Sequence, residues 1–472
     1  MSLSTALQEP VIAVLDIGKT NVKLCAIRSG HHGGEVLAEK RQANRVIQGA
    51  PYPHIDTEGI WQWMKDSLAE IARLYYVQSI AITTHGATAA CMRGDTLALP
   101  ILDYESEWCQ SLADEYHRVR PPFAQTGSPT MAVGLNLGAQ LFWLSRAYRQ
   151  AFSNVTDILT YPQYWGWRLS GIKASEATSL GCHTDLWNPH TDTYSDLVHN
   201  MGWTDLFPPL RETGGALGTL HPALAQELGL PEDCTVGNGI HDSNASLVPH
   251  LLTRSEPFTV ISSGTWTVIC GVGADLDNLT EADDMLINVN AYGRPVPTIR
   301  FMGGREWETL RGADDATLAD LSAVMQQNIF ALPSFVNQGG PFRHHHGRLV
   351  GPAHSLNGAE KTALASVYCA LMTDYCLDRL NNQGDVVVEG AFARNPIYMQ
   401  VLANLRGQNH ESRPAQRVYS SADSTGTTQG TAMLGQDINH WPIGEAKREW
   451  VVEISNVQAY ADAWRELVEM LS

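Results

Sequence analysis

The chain lacks several features that would place it in a special class of protein. It contains no run approaching the ~18 consecutive apolar residues of a membrane-spanning helix. Its start, MSLSTALQEP, has neither the basic nor the apolar segment typical of a signal peptide. The eight cysteines are scattered and form no CxxC pair. These absences predict a cytoplasmic protein that depends on neither disulfide bonds nor a membrane.

Charge is scarce and mostly acidic. Charged residues make up 17% of the chain, and the net charge is −18. This sign argues against nucleic acid or an anionic membrane as the main partner. A phosphate ligand remains compatible, because backbone amides and Mg²⁺ hold phosphates without a basic field. The length of 472 residues and the hydrophobic fraction of 44% predict a globular protein of two or three domains.

Four common catalytic or nucleotide-binding motifs are also absent from the sequence. They are the GxxxxGK[ST] phosphate loop, GxGxxG after a strand, HExxH and GxSxG. Any phosphoryl chemistry therefore does not use the Walker geometry. The missing dinucleotide fingerprint argues against a dehydrogenase.

Two similar segments open the two halves of the chain. VIAVLDIGKTNVKLCAI and PFTVISSGTWTVICGVG each read as a strand, a Gly-centred turn and a second strand, with Gly18 and Gly264 at equivalent places. This repeat, and the alternation of strand and helix patterns between them, predict two α/β domains of related architecture. Hydrophobic spacing and capping residues predict further strands and helices. Strands are predicted at 79–84 and 385–389, a loop at 331–352, and helices at 57–75, 136–152, 358–380, from 396, and at 459–471.

The two turns are candidate phosphate sites. In the first, DIGKTN, Asp16 ends a strand and could hold Mg²⁺, while the turn amides point at phosphate oxygens. The second, SSGTWT at 262–267, repeats this logic without a carboxylate. Each turn alone is also the pattern of an ordinary hairpin. The pair favours a triphosphate held by both turns.

A third segment, GNGIHDSN at 237–244, delivers a carboxylate just before a predicted helix. There Asp242 could accept the proton of a hydroxyl that attacks phosphorus. The same position is typical of a helix N-cap, which is the simpler interpretation of this segment alone.

Further polar residues at strand ends suit a polyol ligand. They lie at Thr83–Gly86 and Leu102–Glu105, and an aromatic face for a sugar could come from a nearby ring, although each such ring is more often core. The candidate rings are Trp108, Tyr164 and Trp165. The small-residue turn of VEGAFARN, at 388–395, could support a flat heterocycle. The consecutive histidines 344–346 are interpreted as a solvated loop, because they lack zinc-like ligand spacing.

Taken in order, these segments resemble the FGGY family of carbohydrate kinases, from about residue 11 to about 440. The resemblance implies two ribonuclease-H-like domains of the actin/hexokinase type with a cleft between them. We place them at 1–248, with the first phosphate loop and the sugar site, and at 249–472, with the nucleotide site. The matching segments are DIGKTN, THG at 84–86, YPQYWGWRLSG at 161–171, GIHDSN, ISSGTW, FMGGREWE at 301–308 and TQGTAMLG at 428–435.

By position, the resemblance also implies functional residues and co-substrates. It implies ATP and Mg²⁺, with Asp242 as the general base and Asp16 as the metal residue. Phosphate contacts are implied at Gly18, Thr20, Asn21, Gly264 and Thr265. Nucleotide contacts are implied at Gly303, Gly304, Gly390 and Asn395. A sugar pocket is implied at His85, Asp103, Glu105 and Ser243. A homodimer is expected from the resemblance alone.

The substrate is expected to be a small-molecule ketose. SSGTW resembles the rhamnulose and fuculose kinases, whereas THG is reminiscent of the xylulose branch, so a 6-deoxyketohexose and a pentulose both stay open. Glycerol, a tetritol or a sugar acid are alternatives, as is a non-catalytic sugar or nucleotide sensor. One departure is Gly390-Ala391-Phe392, where the family has a run of glycines. The phenyl ring either crowds the adenine shelf or turns aside and packs.

Overall fold

The computed structural model describes residues 9–29, 34–336, 339–409, 413–421, 426–436, 447–448 and 452–470. By its contacts the chain forms two units. Unit 1 contains Met1–Thr253, Ile287–Pro295 and Thr425–Ile443, and unit 2 contains Arg254–Leu286, Val296–Ser424 and Gly444–Ser472. The helix Val248–Thr253 thus belongs to unit 1. Two segments of the second half of the chain belong to unit 1.

The strands, in chain order, are β1 Pro10–Ile17, β2 Asn21–Arg28, β3 Val36–Ala43, β4 Val46–Ile47, β5 His54–Ile55, β6 Tyr76–Thr84, β7 Ala89–Arg93, β8 Thr96–Leu97, β9 Asp157–Thr160, β10 Trp187–Asn188, β11 Thr193–Tyr194, β12 Ala216–Thr219, β13 Thr235–Gly237, β14 Ile240–His241, β15 Phe258–Ser263, β16 Thr267–Val272, β17 Leu286–Val289, β18 Pro295–Phe301, β19 Phe330–Leu332, β20 Arg348–Val350, β21 Asp385–Gly390, β22 Val418–Ser420 and β23 Lys447–Arg448.

The α-helices are α1 Thr57–Ala72, α2 Ala113–Val119, α3 Phe123–Thr126, α4 Leu137–Ala147, α5 Arg149–Phe152, α6 Tyr161–Ser170, α7 Ala177–Leu180, α8 Asp196–Asn200, α9 Pro222–Leu228, α10 Asp242–Ala245, α11 Val248–Thr253, α12 Gly303–Leu310, α13 Leu318–Gln326, α14 Gly358–Leu380, α15 Pro396–Arg406, α16 Gly426–Met433 and α17 Val457–Glu469.

The two units contain sheets of the same design. In unit 1 the order is β3-β2-β1-β6-β13, with β12 beyond β13 and β14 also paired to β6. In unit 2 the order is β18-β16-β15-β21-β22, followed by β23. In each sheet the first three strands pair antiparallel and the next two join in parallel. The repeat of the strand–turn–strand pattern in the sequence therefore reflects a repeat of architecture, as predicted.

Apolar β-branched runs become strands buried on both faces. Residues Val11–Leu15 of β1 are each at most 1% exposed, and Val386–Val388 of β21 are fully buried. Parallel strands covered on both sides need such continuous apolar runs. The first parallel strand in each sheet delivers its polar end residues to the same edge as the preceding hairpin turn, because β6 and β21 pair in register with β1 and β15.

Most predicted elements are confirmed, with shifts at their ends. The predicted helix 358–380 is α14, which begins with a capping box of Asn357 and Glu360. The cap of α1 is Asp56, whose carboxylate accepts from the Gly59 amide at 2.9 Å. The predicted helix 136–152 is divided into α4 and α5 at Tyr148. The predicted loop 331–352 contains the end of β19 and all of β20.

All eight cysteines are buried and form no disulfide. Seven of them lie in an apolar cluster or a strand, where the thiol packs as a small hydrophobic group, whereas Cys182 Sγ lies 3.7 Å from His241 Nε2. In the part of the chain that the structure describes, we find no helix that is both long and apolar enough for a membrane span.

Candidate active site

The first turn, Gly18–Thr20 between β1 and β2, is held from one side by Asn44. The Asn44 side-chain amide donates to the carbonyls of Gly18 at 2.7 Å and Lys19 at 3.5 Å. Its backbone N–H donates to the carbonyl of Thr20 at 2.8 Å. In a trans peptide the N–H points opposite to the C=O, so the next amides of the turn face away from Asn44. This is the arrangement that a backbone phosphate site needs. Asn21 is exposed and donates to the Thr20 hydroxyl at 3.0 Å.

Asp16 is the last but one residue of β1, beside this turn, and is largely buried, with its side chain 17% exposed. Its carboxylate lies 3.0 Å from the Lys23 ammonium and accepts from the Thr428 hydroxyl at 3.3 Å. Lys23 also donates to Thr428 at 2.7 Å. Mg²⁺ is typically held by one or two carboxylates together with substrate phosphates. Asp16 fits that mode, and no group of three or more His, Cys, Asp or Glu in the described residues forms a complete protein cage.

Asp242 is the first residue of α10, directly after the short strand β14. The N-cap position belongs to His241, so the interpretation of Asp242 as a cap is wrong. The carboxylate is 34% exposed and therefore reachable by a ligand. Its Oδ1 accepts from the Ser243 backbone N–H at 2.6 Å and from the Ser243 hydroxyl at 3.3 Å. The second oxygen, Oδ2, is the atom that these contacts do not use.

Two buried histidines flank this carboxylate. His241 Nε2 lies 3.3 Å from Asp242 Oδ1. Gly86 packs against the His241 ring so closely that a Cβ there would lie 2.7 Å from Nε2. Its neighbour His85 contacts the Gly86 carbonyl through Nδ1 at 2.9 Å. A residue without a side chain is therefore needed at position 86, beside the His241 ring.

Burial shifts the titration of all three groups. Burial raises the pKa of the Asp242 carboxyl to about 6, and nearby His85 partly opposes that rise. Burial lowers the pKa of His241 to about 4. Burial also lowers the pKa of His85, while its contact with the Gly86 carbonyl and the charge of Asp242 act in the opposite direction. At neutral pH the ionised Asp242 carboxylate thus lies beside the neutral imidazole of His241, and its pKa suits a general base.

An acidic segment, Asp103–Glu105, lies beside the first turn. Asp103 is buried and forms an ion pair with the Lys19 ammonium. Glu105 is exposed, and its carboxylate lies 3.3 Å from the same ammonium. The ring of Tyr104 lies under Lys19, at 4.8 Å from nitrogen to centroid, and contacts the His85 ring at 5.4 Å. The structure thus brings the predicted sugar residues into one neighbourhood in unit 1.

The aromatic candidates behave differently from one another. Tyr164 and Trp165 are at most 2% exposed and pack in the core of unit 1. Trp108 is 52% exposed and contacts Trp143. Tyr164 and Trp165 are therefore core residues.

In unit 2, His345 packs edge-on against Phe342, and the histidine run 344–346 is part of no metal-ligand group in the described chain.

Unit 2 contains a cavity of about 730 Å³. This volume lies within the range of small-molecule sites. The second turn, Gly264–Trp266, contributes Gly264 and Thr265, and the start of α12 contributes Gly304. The remaining lining residues are Arg305, Trp307, Glu308, Asp315, Ala316, Thr362, Ser366, Ala391, Phe392, Arg394, Asn395, Pro396 and Ile397.

Close backbone packing explains the glycines of this region. A Cβ on Gly304 would lie 2.1 Å from the carbonyl of Gly264, so α12 can begin against the second turn only with glycine there. Gly303 and Gly390 do not line the cavity. A Cβ on Gly303 would meet the Thr267 hydroxyl at 2.2 Å, and Gly390 has φ +79° with the Ser263 carbonyl 2.0 Å from its Cβ position. These two glycines allow close packing of the backbone next to the cavity.

The shelf after β21 is built around Ser263, Phe392 and Asn395. The Ser263 hydroxyl accepts from the Phe392 amide at 2.8 Å. The Phe392 ring is 4% exposed and stacks on Tyr398 with centroids 4.5 Å apart. The phenyl group has therefore turned into the core, although Phe392 is still one of the residues that line the cavity. Asn395 caps α15 through the Tyr398 amide and donates to Ser366 at 2.9 Å.

Sequence reasoning missed three polar partners. Lys19 and Lys23 lie in the hairpin of β1 and β2, but their ion pairs with Asp103 and Asp16 can be seen only in the tertiary structure. Thr428 lies more than 400 residues from Asp16 along the chain. The only signal for Thr428 was its place in TQGTAMLG, a segment otherwise notable for small residues.

Comparison with known proteins agrees with this architecture. L-fuculokinase of Escherichia coli (strain K12) is 26% identical over 280 residues, which are 57% of this chain and 58% of that protein. The chain thus aligns with about three fifths of the length of this curated relative. A carbohydrate kinase from Novosphingobium aromaticivorans, known from its crystal structure, is 31% identical with a TM-score of 0.88, covering 98% of this chain and 99% of that one.

A more distant likeness concerns the fold alone. The crystal structure of xylulose kinase from Rhodospirillum rubrum has a TM-score of 0.77 at 17% identity, covering 98% of this chain and 99% of that one.

The model of the FGGY family of carbohydrate kinases, N-terminal domain, matches residues 11–249. The model of carbohydrate kinase FGGY, C-terminal domain, matches residues 255–442. The chain therefore belongs to the FGGY family of carbohydrate kinases.

Proposed function

We propose that the protein transfers the γ-phosphoryl group of ATP to a hydroxyl of an uncharged ketose. The observation that carries this proposal is the reachable carboxylate of Asp242, placed at the head of α10 among His85, Ser243 and the acidic segment. Membership of a carbohydrate kinase family supplies the reaction class.

The proposed chemistry is direct in-line transfer, with Asp242 Oδ2 accepting the proton of the attacking hydroxyl. The Ser243 N–H and hydroxyl hold Oδ1, which fixes the direction of Oδ2. The second turn lines the cavity of unit 2, where its amides would bind phosphoryl oxygens of the nucleotide. Asp16 would hold Mg²⁺, which would neutralise charge on the phosphates. The cavity of unit 2 takes the nucleotide, with its base on the shelf between Phe392 and Asn395.

The 6-deoxyketohexoses L-fuculose and L-rhamnulose are the acceptors we propose first, followed by pentuloses. The sequence likeness to L-fuculokinase and to a rhamnulokinase supports this order. The xylulose kinases among similar structures support the pentuloses through the fold alone. A sugar acid fits less well, because Asp103, Glu105 and Asp242 already place several carboxylates at the proposed site.

The test is ADP release by the purified protein with MgATP and a panel of acceptors. The panel contains L-fuculose, L-rhamnulose, D- and L-xylulose, D- and L-ribulose, glycerol, erythritol and D-gluconate. We expect one uncharged ketose to raise ADP release far above the rate without sugar. Asp242→Asn should lower turnover by about 10²-fold or more, since general base catalysis contributes about 10²–10⁴-fold.

Asp196→Asn is the matched control, because Asp196 is also the first residue of a short helix in unit 1 but is exposed at the surface. It should leave turnover unchanged. An Asp242→Asn enzyme with normal turnover would refute the assigned base. If no acceptor of the panel raises ADP release while ATP still binds, an untested acceptor or a sensor is favoured. Silence without ATP binding would refute the kinase proposal.

A further inference from the structure

Lys19 belongs to the first turn, yet its side chain contacts the acidic segment and not the phosphate side of that turn. Its ammonium forms an ion pair with Asp103 and lies 3.3 Å from a Glu105 oxygen. It also lies over the Tyr104 ring, at 4.8 Å from the centroid. An ammonium has three N–H donors, and these contacts point them at groups of the proposed sugar site. The backbone of the turn and this side chain thus face different ligands.

Lys23, in the same hairpin, provides the contrast. Its ammonium lies 3.0 Å from Asp16 and donates to Thr428, so it belongs to the proposed metal site. The side chains of Lys19 and Lys23 are equally exposed, at 20% each. Four residues apart, the two lysines are therefore alike in chemistry and burial and differ in the carboxylate that each one holds.

We propose that Lys19 is a positioning residue for the sugar site, which orders the Asp103–Glu105 segment for hydroxyl binding. This inference rests on the proposed function of the same site. Asp103 is buried, and a buried carboxylate keeps its charge and direction only with a partner. With Lys19 present, that carboxylate is held in place as an acceptor for sugar hydroxyls.

The charge of the cluster selects against anions. Lys19 carries one positive charge against the two negative charges of Asp103 and Glu105, so the three side chains together are negative. Asp242 adds a further negative charge above pH 6. A sugar carboxylate would enter this field without an uncompensated cation to receive it, whereas hydroxyls donate hydrogen bonds to the carboxylates.

The experiment compares four lysine variants by steady-state kinetics on the acceptor identified from the panel, and by thermal shift with the sugar alone. Lys19→Met removes the charge and keeps an unbranched side chain, while Lys19→Arg keeps the charge. We expect Lys19→Met to raise the sugar KM on the order of tenfold, the cost of one hydrogen bond to a charged group, and to leave the ATP KM unchanged. Lys19→Arg should restore part of the loss.

Lys23→Met is expected to show the opposite split, with a raised KM for MgATP and an unchanged sugar KM. Lys40→Met is the neutral control, because Lys40 lies on β3 and forms an ion pair with Glu70 of α1, away from the proposed site residues. An unchanged sugar KM in Lys19→Met would overturn the inference while the kinase proposal stands.

The binding arm separates the two proposals. If the wild-type protein turns over no acceptor of the panel, Lys19 is judged by thermal shift with L-fuculose, L-rhamnulose and D-xylulose. Stabilisation of the wild-type protein by one of these sugars, lost in Lys19→Met and kept in Lys40→Met, supports the role of Lys19. Stabilisation of both variants alike, or of neither variant nor wild type, contradicts it.

Discussion

Gly304 offers a direct test of the nucleotide site, because its replacement perturbs one defined contact. A Cβ at this position would lie 2.1 Å from the carbonyl oxygen and 3.0 Å from the carbonyl carbon of Gly264. Cβ atoms in real structures stay beyond 3.0 Å of such neighbours. In Gly304→Ala, the start of α12 and the second turn must therefore separate by about 1 Å.

The cost divides between stability and catalysis. Overpacking costs about 1–3 kcal/mol, but Ala in a helix is favoured over Gly by about 1 kcal/mol, so the variant should fold. A misplacement of about 1 Å in a positioned site can lower the rate about 10²-fold. We therefore expect kcat/KM for ATP to fall on the order of 100-fold, while the KM for the acceptor stays near its wild-type value.

The assay is ADP release over a range of ATP concentrations at saturating acceptor, with calorimetric titration of ATP as the binding readout. Thr309→Ala is the control, since Thr309 is an exposed residue of the same helix. A Gly304→Ala protein with wild-type ATP affinity and turnover would refute the assignment of the second turn and the start of α12 to phosphate binding.

Two further predictions concern pH and packing. Since burial raises the pKa of Asp242 to about 6, kcat/KM should fall as pH drops below about 6. A carboxyl whose pKa is higher in the folded state than in the unfolded one favours unfolding as it ionises, so its protonation adds stability below pH 6 and the activity loss is not unfolding through this group. Thermal stability at each pH is the control, and a rate that stays flat to pH 5 would contradict the assigned base. Phe392→Ala removes a buried ring stacked on Tyr398 and should cost about 3–5 kcal/mol in the free energy of unfolding measured with denaturant. The exposed control Leu349→Ala should cost little, and equal stability of the two variants would contradict the packing of the phenyl group.

Local patterns determined the elements that carry the proposed site. The runs before Asp16 and Ser263 could only be buried strands, and the single glycines that follow fixed the places of the two turns. The helix predicted at about 358–380 is α14, and the structure shows that a capping box of Asn357 and Glu360 begins it and that Asn381 ends it in a left-handed conformation. Such signals act between residues that are close in the sequence, so they can be recognised without the tertiary structure.

Other features depended on distant parts of the chain. The sequence allowed Asp242 to be a simple cap, and only the end of β14 at His241 showed that it is the first helical residue with a reachable carboxylate. Tyr164 and Trp165 were candidates for a sugar face, but burial assigns them to the core. The phenyl ring of Phe392 could crowd the shelf or turn aside, and the ring of Tyr398 decided between the two.

From the sequence alone, three features could be predicted. They are the order of motifs that resembles the FGGY family, the strand–turn–strand segment at the start of each half of the chain, and the residue types proposed for phosphoryl transfer. Periodicity and turn chemistry encode these locally. Only the tertiary structure decided which charges meet. It placed Lys19 on Asp103 and Lys23 on Asp16, and it brought Thr428 to the same carboxylate as Lys23. The physical reason is that an ion pair needs proximity in space, and packing of the sheet and helices sets that proximity over separations that no local pattern records.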